Sequence, residues 1–158
     1  MWEVADPKHL EKYFRKAQEE AEKSGCKKRF CGAVIIKGGE IIGRGFNSPP
    51  KNLESQRRCG QDKSKLDEKV TDKTCCIHAE ERAIFDALKR GKDLEGGVIY
   101  FTSVDQIGNR LYSGEPFCTI CSKRALDVGI KGWVLEHESG TIFYSAEEYN
   151  ELSYNHHH

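Results

Sequence analysis

Two short stretches carry residue types that can do chemistry together: Cys76-Ile77-His78-Ala79-Glu80 and Pro116-Phe117-Cys118-Thr119-Ile120-Cys121. One imidazole and two thiolates make three protein donors for zinc. They leave a fourth tetrahedral position for water, which marks a catalytic rather than a structural site. Zinc lowers the pKa of water bound there toward neutrality, so a nucleophile is available at pH 7. Glu80 follows His78 by two residues, which lets it face the open position without filling it and pass a proton from water to a substrate. Neither half is specific alone. His-x-Glu arises by chance, and a lone C-x-x-C serves zinc, redox chemistry or two buried thiols. The signal is the pair, each half opening a predicted helix whose N-terminal dipole favours thiolates.

The surrounding pattern supplies the elements to position them. Asp6-Pro7 reads as an N-cap followed by proline at the first helical position. Leu10, Tyr13, Phe14, Ala17 and Ala21 then recur at helical spacing, and Gly25 closes the segment. Apolar runs over 31–37 and 40–46 flank Gly38-Gly39 and predict a β-hairpin. From Asn47 to Thr74 the composition turns polar, opening with Ser48-Pro49-Pro50; this insertion, 47–75, is too long for an ordinary loop. A helix is expected from about His78 to Gly91, a strand at Val98-Ile99-Tyr100-Phe101 and a helix over 118–128. A strand at Gly132-Trp133-Val134-Leu135 and a short helix over 146–152 complete the series. Strands alternating with helices argue for a layered α/β sheet.

Composition sets the outer limits. The chain has 158 residues, enough for one domain over 1–154, with the histidines at 156–158 read as what remains of a purification tag. No apolar run approaches the length that crosses a bilayer, and residues 1–6 lack the pattern of a secretory leader, so a cytoplasmic protein without membrane attachment is expected. Twenty-five basic against 25 acidic side chains argue against a nucleic-acid partner. Seven cysteines, an odd number, argue against a complete disulfide framework and for metal or redox chemistry.

His78-x-Glu80 followed by Cys118-x-x-Cys121 is the pattern of zinc-dependent nucleobase deaminases. From about Phe30 to Val134 the chain resembles the cytidine deaminase superfamily, most closely its deoxycytidylate (dCMP) deaminase-like branch. The resemblance rests on Gly32-Ala33-Val34-Ile35-Ile36, on Ile41-Ile42-Gly43-Arg44-Gly45-Phe46-Asn47-Ser48-Pro49, on His78-Ala79-Glu80-Glu81-Arg82-Ala83-Ile84, and on the C-x-x-C followed by Gly129-Ile130. It implies a three-layer α/β/α fold with a mixed central sheet. His78, Cys118 and Cys121 would hold Zn2+ and Glu80 would shuttle protons. Asn47 would hydrogen-bond a substrate sugar, and the Ala79 backbone N–H would meet the pyrimidine. The implied reaction is hydrolytic attack at C4 of cytosine with release of ammonia, dCMP giving dUMP, in a homo-oligomer. The chain departs from the pattern at Phe117, which separates Pro116 from the first cysteine, and at Arg82, where the family often has asparagine. Cys59 and Cys75-Cys76 match no general family element.

Other readings stand beside these. Cys59, Cys75 and Cys76 could join Cys31 or Cys26 around a second, structural zinc, but buried unpaired thiols are the ordinary alternative and the favoured one. Lys27-Lys28-Arg29 and Arg57-Arg58 could contact a 5′-phosphate, although such clusters are usually solvated faces. Tyr112 and Phe117 could stack on a base. The same zinc chemistry would serve adenosine in tRNA, guanine, or cytosine in a single strand, and a catalytically silent zinc-binding module would keep the fold without turnover.

Overall fold

The run Phe-Cys-Gly-Ala-Val-Ile-Ile before Lys37 leaves no charged position for solvent, so a strand made from it must be covered on both faces. In the computed structural model, which describes residues 1–3 and 7–157, it is. Strand β1 (Trp2–Glu3) and helix α1 (Pro7–Ala21) lead into β2 (Phe30–Lys37) and β3 (Glu40–Phe46). Then come α2 (Ala79–Lys89), β4 (Val98–Val104), β5 (Arg110–Leu111) and α3 (Thr119–Asp127), followed by β6 (Gly132–His137), β7 (Gly140–Ser145) and α4 (Ala146–Tyr154). The expected cap at Asp6 lies outside the described residues.

The sheet runs β1-β7-β6-β4-β2-β3, with β5 pairing β4. It is mixed: β4 and β6 are parallel, while β2–β3, β2–β4 and β6–β7 are antiparallel. Alternation along β2 sends Val34 and Ile36 toward Tyr13 and Ala17 of α1. Ala33 and Ile35 go the other way, into a larger core with Ala83, Ala87, Trp133 and Tyr149 from α2, β6 and α4. The result is the expected α/β/α sandwich with a mixed sheet.

Two findings extend the sequence reading. Residues 140–145 form β7, which pairs with β6 along its whole length, where only β6 was expected. Residues 47–75 contain no helix or strand beyond 3₁₀ turns at Pro50–Asn52, Glu54–Gln56 and Lys63–Lys65. None of residues 51–78 is buried, so the insertion lies over the sandwich rather than within its core. Among the described residues no helix is long and apolar enough to cross a membrane.

Candidate active site

Small residues set where α2 begins. Gly43 and Gly45 of β3 face α2, and a Cβ on either would collide with the carbonyl oxygens of Ala83 or Ala79. Helix and strand therefore approach at backbone distance, which fixes His78, Ala79 and Glu80 against the sheet. The insertion ends where it starts. Ile77 N–H donates to Ser48 O at 2.9 Å and Ser48 N–H to Ile77 O at 3.4 Å, closing an isolated bridge that sets Asn47 beside His78. Arg82 consolidates that corner: its guanidinium donates to Phe46 O (2.8 Å), Ser48 Oγ (2.5 Å) and Pro49 O (3.3 Å), and lies over the Phe46 ring. The residue that departs from the family pattern thus braces the turn that presents Asn47.

His78 and Cys118 are the N-cap residues of α2 and α3. The His78 backbone N–H donates to Glu81 Oε1 at 3.0 Å, and Glu81 is in turn paired with Arg124 of α3 at 3.2 Å, joining the two helices that carry the site. His78 Nδ1 lies 3.1 Å from Cys118 Sγ and 3.3 Å from Cys121 Sγ, and the three donor atoms are all within 4.8 Å of one another. One ring nitrogen and two sulfurs converging from two helix starts fit a zinc ion, with room left for a non-protein ligand.

The metal-free electrostatics agree with such a donor set. Cys118 is pulled down to about 4 by hydrogen bonds from Cys121 and His78, and the Cys118 sulfur in turn raises His78 to about 9. Cys121 is pushed up, because its neighbour takes the role of thiolate and because it is buried. Glu80 is 5% exposed. Burial, reinforced by the Cys118 charge, raises its carboxyl to about 7, against a smaller opposing pull from His78. A carboxyl poised near neutrality is suited to both accepting and returning a proton.

These groups open onto a cavity of about 310 Å³ whose wall includes His78, Ala79, Glu80, Cys118 and Asn47. Asn47 is 8% exposed and heavily engaged. Its Oδ1 accepts from Ser24 Oγ (2.6 Å) and the Cys31 N–H (2.9 Å), and its Nδ2 donates to Arg29 O (2.9 Å). That leaves one amide hydrogen for a ligand. Of the residues read as phosphate contacts, Lys28 and Arg29 are on the wall and Lys27, Arg57 and Arg58 are not; Arg57 is instead committed to Glu54 at 2.7 Å and Gly25 O at 2.7 Å. Phe117 lines the cavity and Tyr112 does not. Sequence reasoning missed Lys63, Phe101 and Tyr149, which also line it. Tyr149, stacked on Trp133 at 4.0 Å, comes from the last helix, where no motif marks it.

The four cysteines read as a second metal group are not all brought together. Cys59, Cys75 and Cys76 converge within 4.8 Å, whereas Cys31 is not in that group. Its place on β2 leaves it half-buried on the cavity lining, where desolvation and the nearby Glu80 push its thiol up to about 12.

The sequence pattern of the family described as "Cytidine and deoxycytidylate deaminase zinc-binding region" matches residues 7–137. The chain belongs to that family. Within it, the chain is similar to the deoxycytidylate deaminases of Saccharomyces cerevisiae (31% identical over 120 residues, 75% of this chain and 34% of the relative) and Schizosaccharomyces pombe (29% over 118 residues, 70% and 31%). It therefore spans about a third of the length of these curated relatives. Among solved structures it shares its fold with dCMP deaminase from the cyanophage S-TIM5 in complex with dCMP and dUMP. That likeness has a TM-score of 0.59 and 23% identity and covers 82% of both chains. Cytidine deaminase from Burkholderia pseudomallei also has this fold, with a TM-score of 0.60 and 16% identity, covering 88% of this chain and 94% of the other. Family membership and the His78, Cys118, Cys121 donor set agree on zinc as the cofactor.

Proposed function

We propose that the protein hydrolytically deaminates a cytosine nucleotide, dCMP to dUMP with release of ammonia, using zinc held by His78, Cys118 and Cys121. The observation that carries this reading is the make-up of one cavity wall. A buried carboxyl, Glu80, stands beside the three metal donors, and the cations Lys28, Arg29 and Lys63 line the same cavity. Zinc supplies the Lewis acidity that makes water nucleophilic near neutral pH. Glu80 moves the proton: its carboxylate takes one from water and delivers it to the base as the C4–N bond breaks. The first-turn N–H of Ala79, which has no helical partner, is placed to meet the pyrimidine, and the remaining Nδ2 hydrogen of Asn47 to meet the sugar. The three cations offer a 5′-phosphate charge-assisted hydrogen bonds, so a nucleotide is preferred over a nucleoside. The family likeness supports a homo-oligomer, and the exposed Phe85 and Leu88 on α2 offer apolar surface for it.

The test is a substrate screen. The zinc-loaded full chain is incubated with dCMP, cytidine, guanine and tRNA while ammonia is followed, and dCMP should turn over most efficiently. Turnover of guanine or tRNA alone would move the activity to another base, and turnover of none would leave a silent zinc module. Replacing Lys28 and Arg29 with alanine should raise KM for dCMP about a hundredfold or more and leave cytidine almost unaffected, since each lost charged hydrogen bond is worth about 1.5–3 kcal/mol.

A further inference from the structure

Five of the seven cysteines take no part in the first metal site, and three of those five meet one another. Cys59 Sγ lies 3.1 Å from Cys75 Sγ, and the sulfurs of Cys59, Cys75 and Cys76 are mutually within 4.8 Å. Cys26, in the loop after α1, lies outside that group, with its thiol close enough to Cys76 for the two to influence each other's titration. All four line the cavity. They arrive from three separate segments: the α1–β2 loop, the middle of the insertion, and its return into α2. Convergence of small thiols from distant positions is not what solvation of a loop produces.

The sulfurs are also dressed as acceptors. The Arg58 backbone N–H donates to Cys75 Sγ at 3.0 Å and Arg57 Nη1 donates to Cys59 Sγ at 3.6 Å, while the nearby backbone of Lys28 and Arg29 favours the thiolate of Cys26. Peptide N–H groups turned onto sulfur orient thiolates in the way an outer shell does around a metal. The spacing suits the same conclusion. Sulfurs about 2.3 Å from a tetrahedral zinc stand about 3.8 Å apart, within reach of the separations among Cys59, Cys75 and Cys76, and Cys26 would move in from beside Cys76 to complete the set. All four are free thiols.

Besides these thiols, the insertion is tied down by polar contacts, the bridge at Ser48–Ile77 and the Arg57 bond to Gly25 O. With no residue of 51–78 buried, it has no apolar core of its own. Leu53 and Val70, its large apolar side chains with the greatest exposure, are 46% and 40% exposed. A polar excursion of this length that holds one shape needs a staple.

We propose that Cys26, Cys59, Cys75 and Cys76 form a second, structural zinc site of four thiolates. It ties the insertion to the α1–β2 loop and so holds Lys63 and Lys28-Arg29 on one cavity wall. Cys26 takes the place that the sequence left open between it and Cys31. The site is closed, with no position for water, and its role is architectural.

Metal content tests this without reference to turnover. The full chain, purified under reducing conditions and equilibrated with zinc, should hold two zinc ions per chain by elemental mass spectrometry. The Cys59→Ser/Cys75→Ser double variant should hold one. So should a His78→Ala/Cys118→Ala double variant, whose remaining ion after cobalt substitution should show the intense thiolate-to-cobalt charge transfer of a four-sulfur site. Cys26→Ser should weaken the second ion, and Cys31→Ser should leave both. If the cysteine variants fail to fold, the His78→Ala/Cys118→Ala protein still decides the matter, because the second site is intact there. One zinc per wild-type chain at saturating metal would overturn the proposal. So would a Cys59–Cys75 disulfide in the zinc-equilibrated protein, or a second ion unaffected by Cys26→Ser. Two zinc ions in a chain that turns over no substrate would leave this site standing and remove only the deaminase reading.

Discussion

Glu80 has no hydrophobic reason to be where it is. Its burial raises the carboxyl from 4.5 to about 7 in the metal-free chain, so its neutral form is favoured on folding. The stability this contributes is fully present below pH 4.5 and is lost as pH rises through about 7, on the order of 3 kcal/mol in all. Glu80→Gln should therefore keep its zinc, melt at a higher temperature at pH 8 than the parent when both are metal-free, and lose activity by about 10²–10⁴-fold. Loss of the zinc with the glutamate would make it a ligand rather than a shuttle. Arg82→Ala makes a different prediction. By freeing the Phe46–Pro49 turn it should loosen Asn47 and raise KM more than it lowers kcat, with partial rescue by lysine, which restores a donor but not the fork. The convergence of His78, Glu80, Cys118 and Cys121 was legible in the sequence because each sits in the first turn of a helix within a short local motif. Tyr149 and Lys63 were not, since their place on the cavity wall follows from packing between distant segments. Cys26 and Cys31, five residues apart, differ in surroundings for the same reason: β2 carries Cys31 toward Glu80 while the loop before it leaves Cys26 beside Cys76.

The elements matter through how closely they approach. β3 gives up side chains at Gly43 and Gly45 so that α2 can lie on it, and the position of His78 and Glu80 depends on that contact. Gly45→Ala should push the first turn of α2 off the strand, costing about 1–3 kcal/mol of stability and more in activity than in zinc affinity, measured by thermal melts beside kinetics. Gly38→Ala in the β2–β3 turn also introduces a Cβ at positive φ, yet it meets nothing within 4 Å and leaves the site geometry alone. This comparison separates backbone strain from displacement of the catalytic helix. Most elements could be read from periodicity: α1 from its apolar stripe, β2 from a continuous apolar run. β7 could not. Its residues 140–145 alternate weakly, and they become a strand by pairing with β6 through a tight turn at residues 138–139.

At the scale of the whole molecule, a sandwich carries the His78, Cys118 and Cys121 donor set and the buried Glu80 carboxyl, and an exposed excursion supplies part of the lining around them. Exchanging residues 50–75 for a short glycine-serine link should leave the sandwich folded by circular dichroism and one zinc at His78, Cys118 and Cys121. The preference for dCMP over cytidine should fall with the loss of Lys63. Collapse of the sandwich in that variant would show the excursion to be part of the fold. The Ser48–Ile77 bridge is the reason to expect otherwise. Because it clasps both ends of the excursion, the chain between them can lengthen at only about 0.6 kcal/mol per doubling of loop length. The catalytic helix starts at the same point whatever that length is. An ancestor could thus try new sequence over the mouth of an old site, generation after generation, without moving the atoms that do the chemistry. Substrate choice and catalysis are free to evolve on separate clocks.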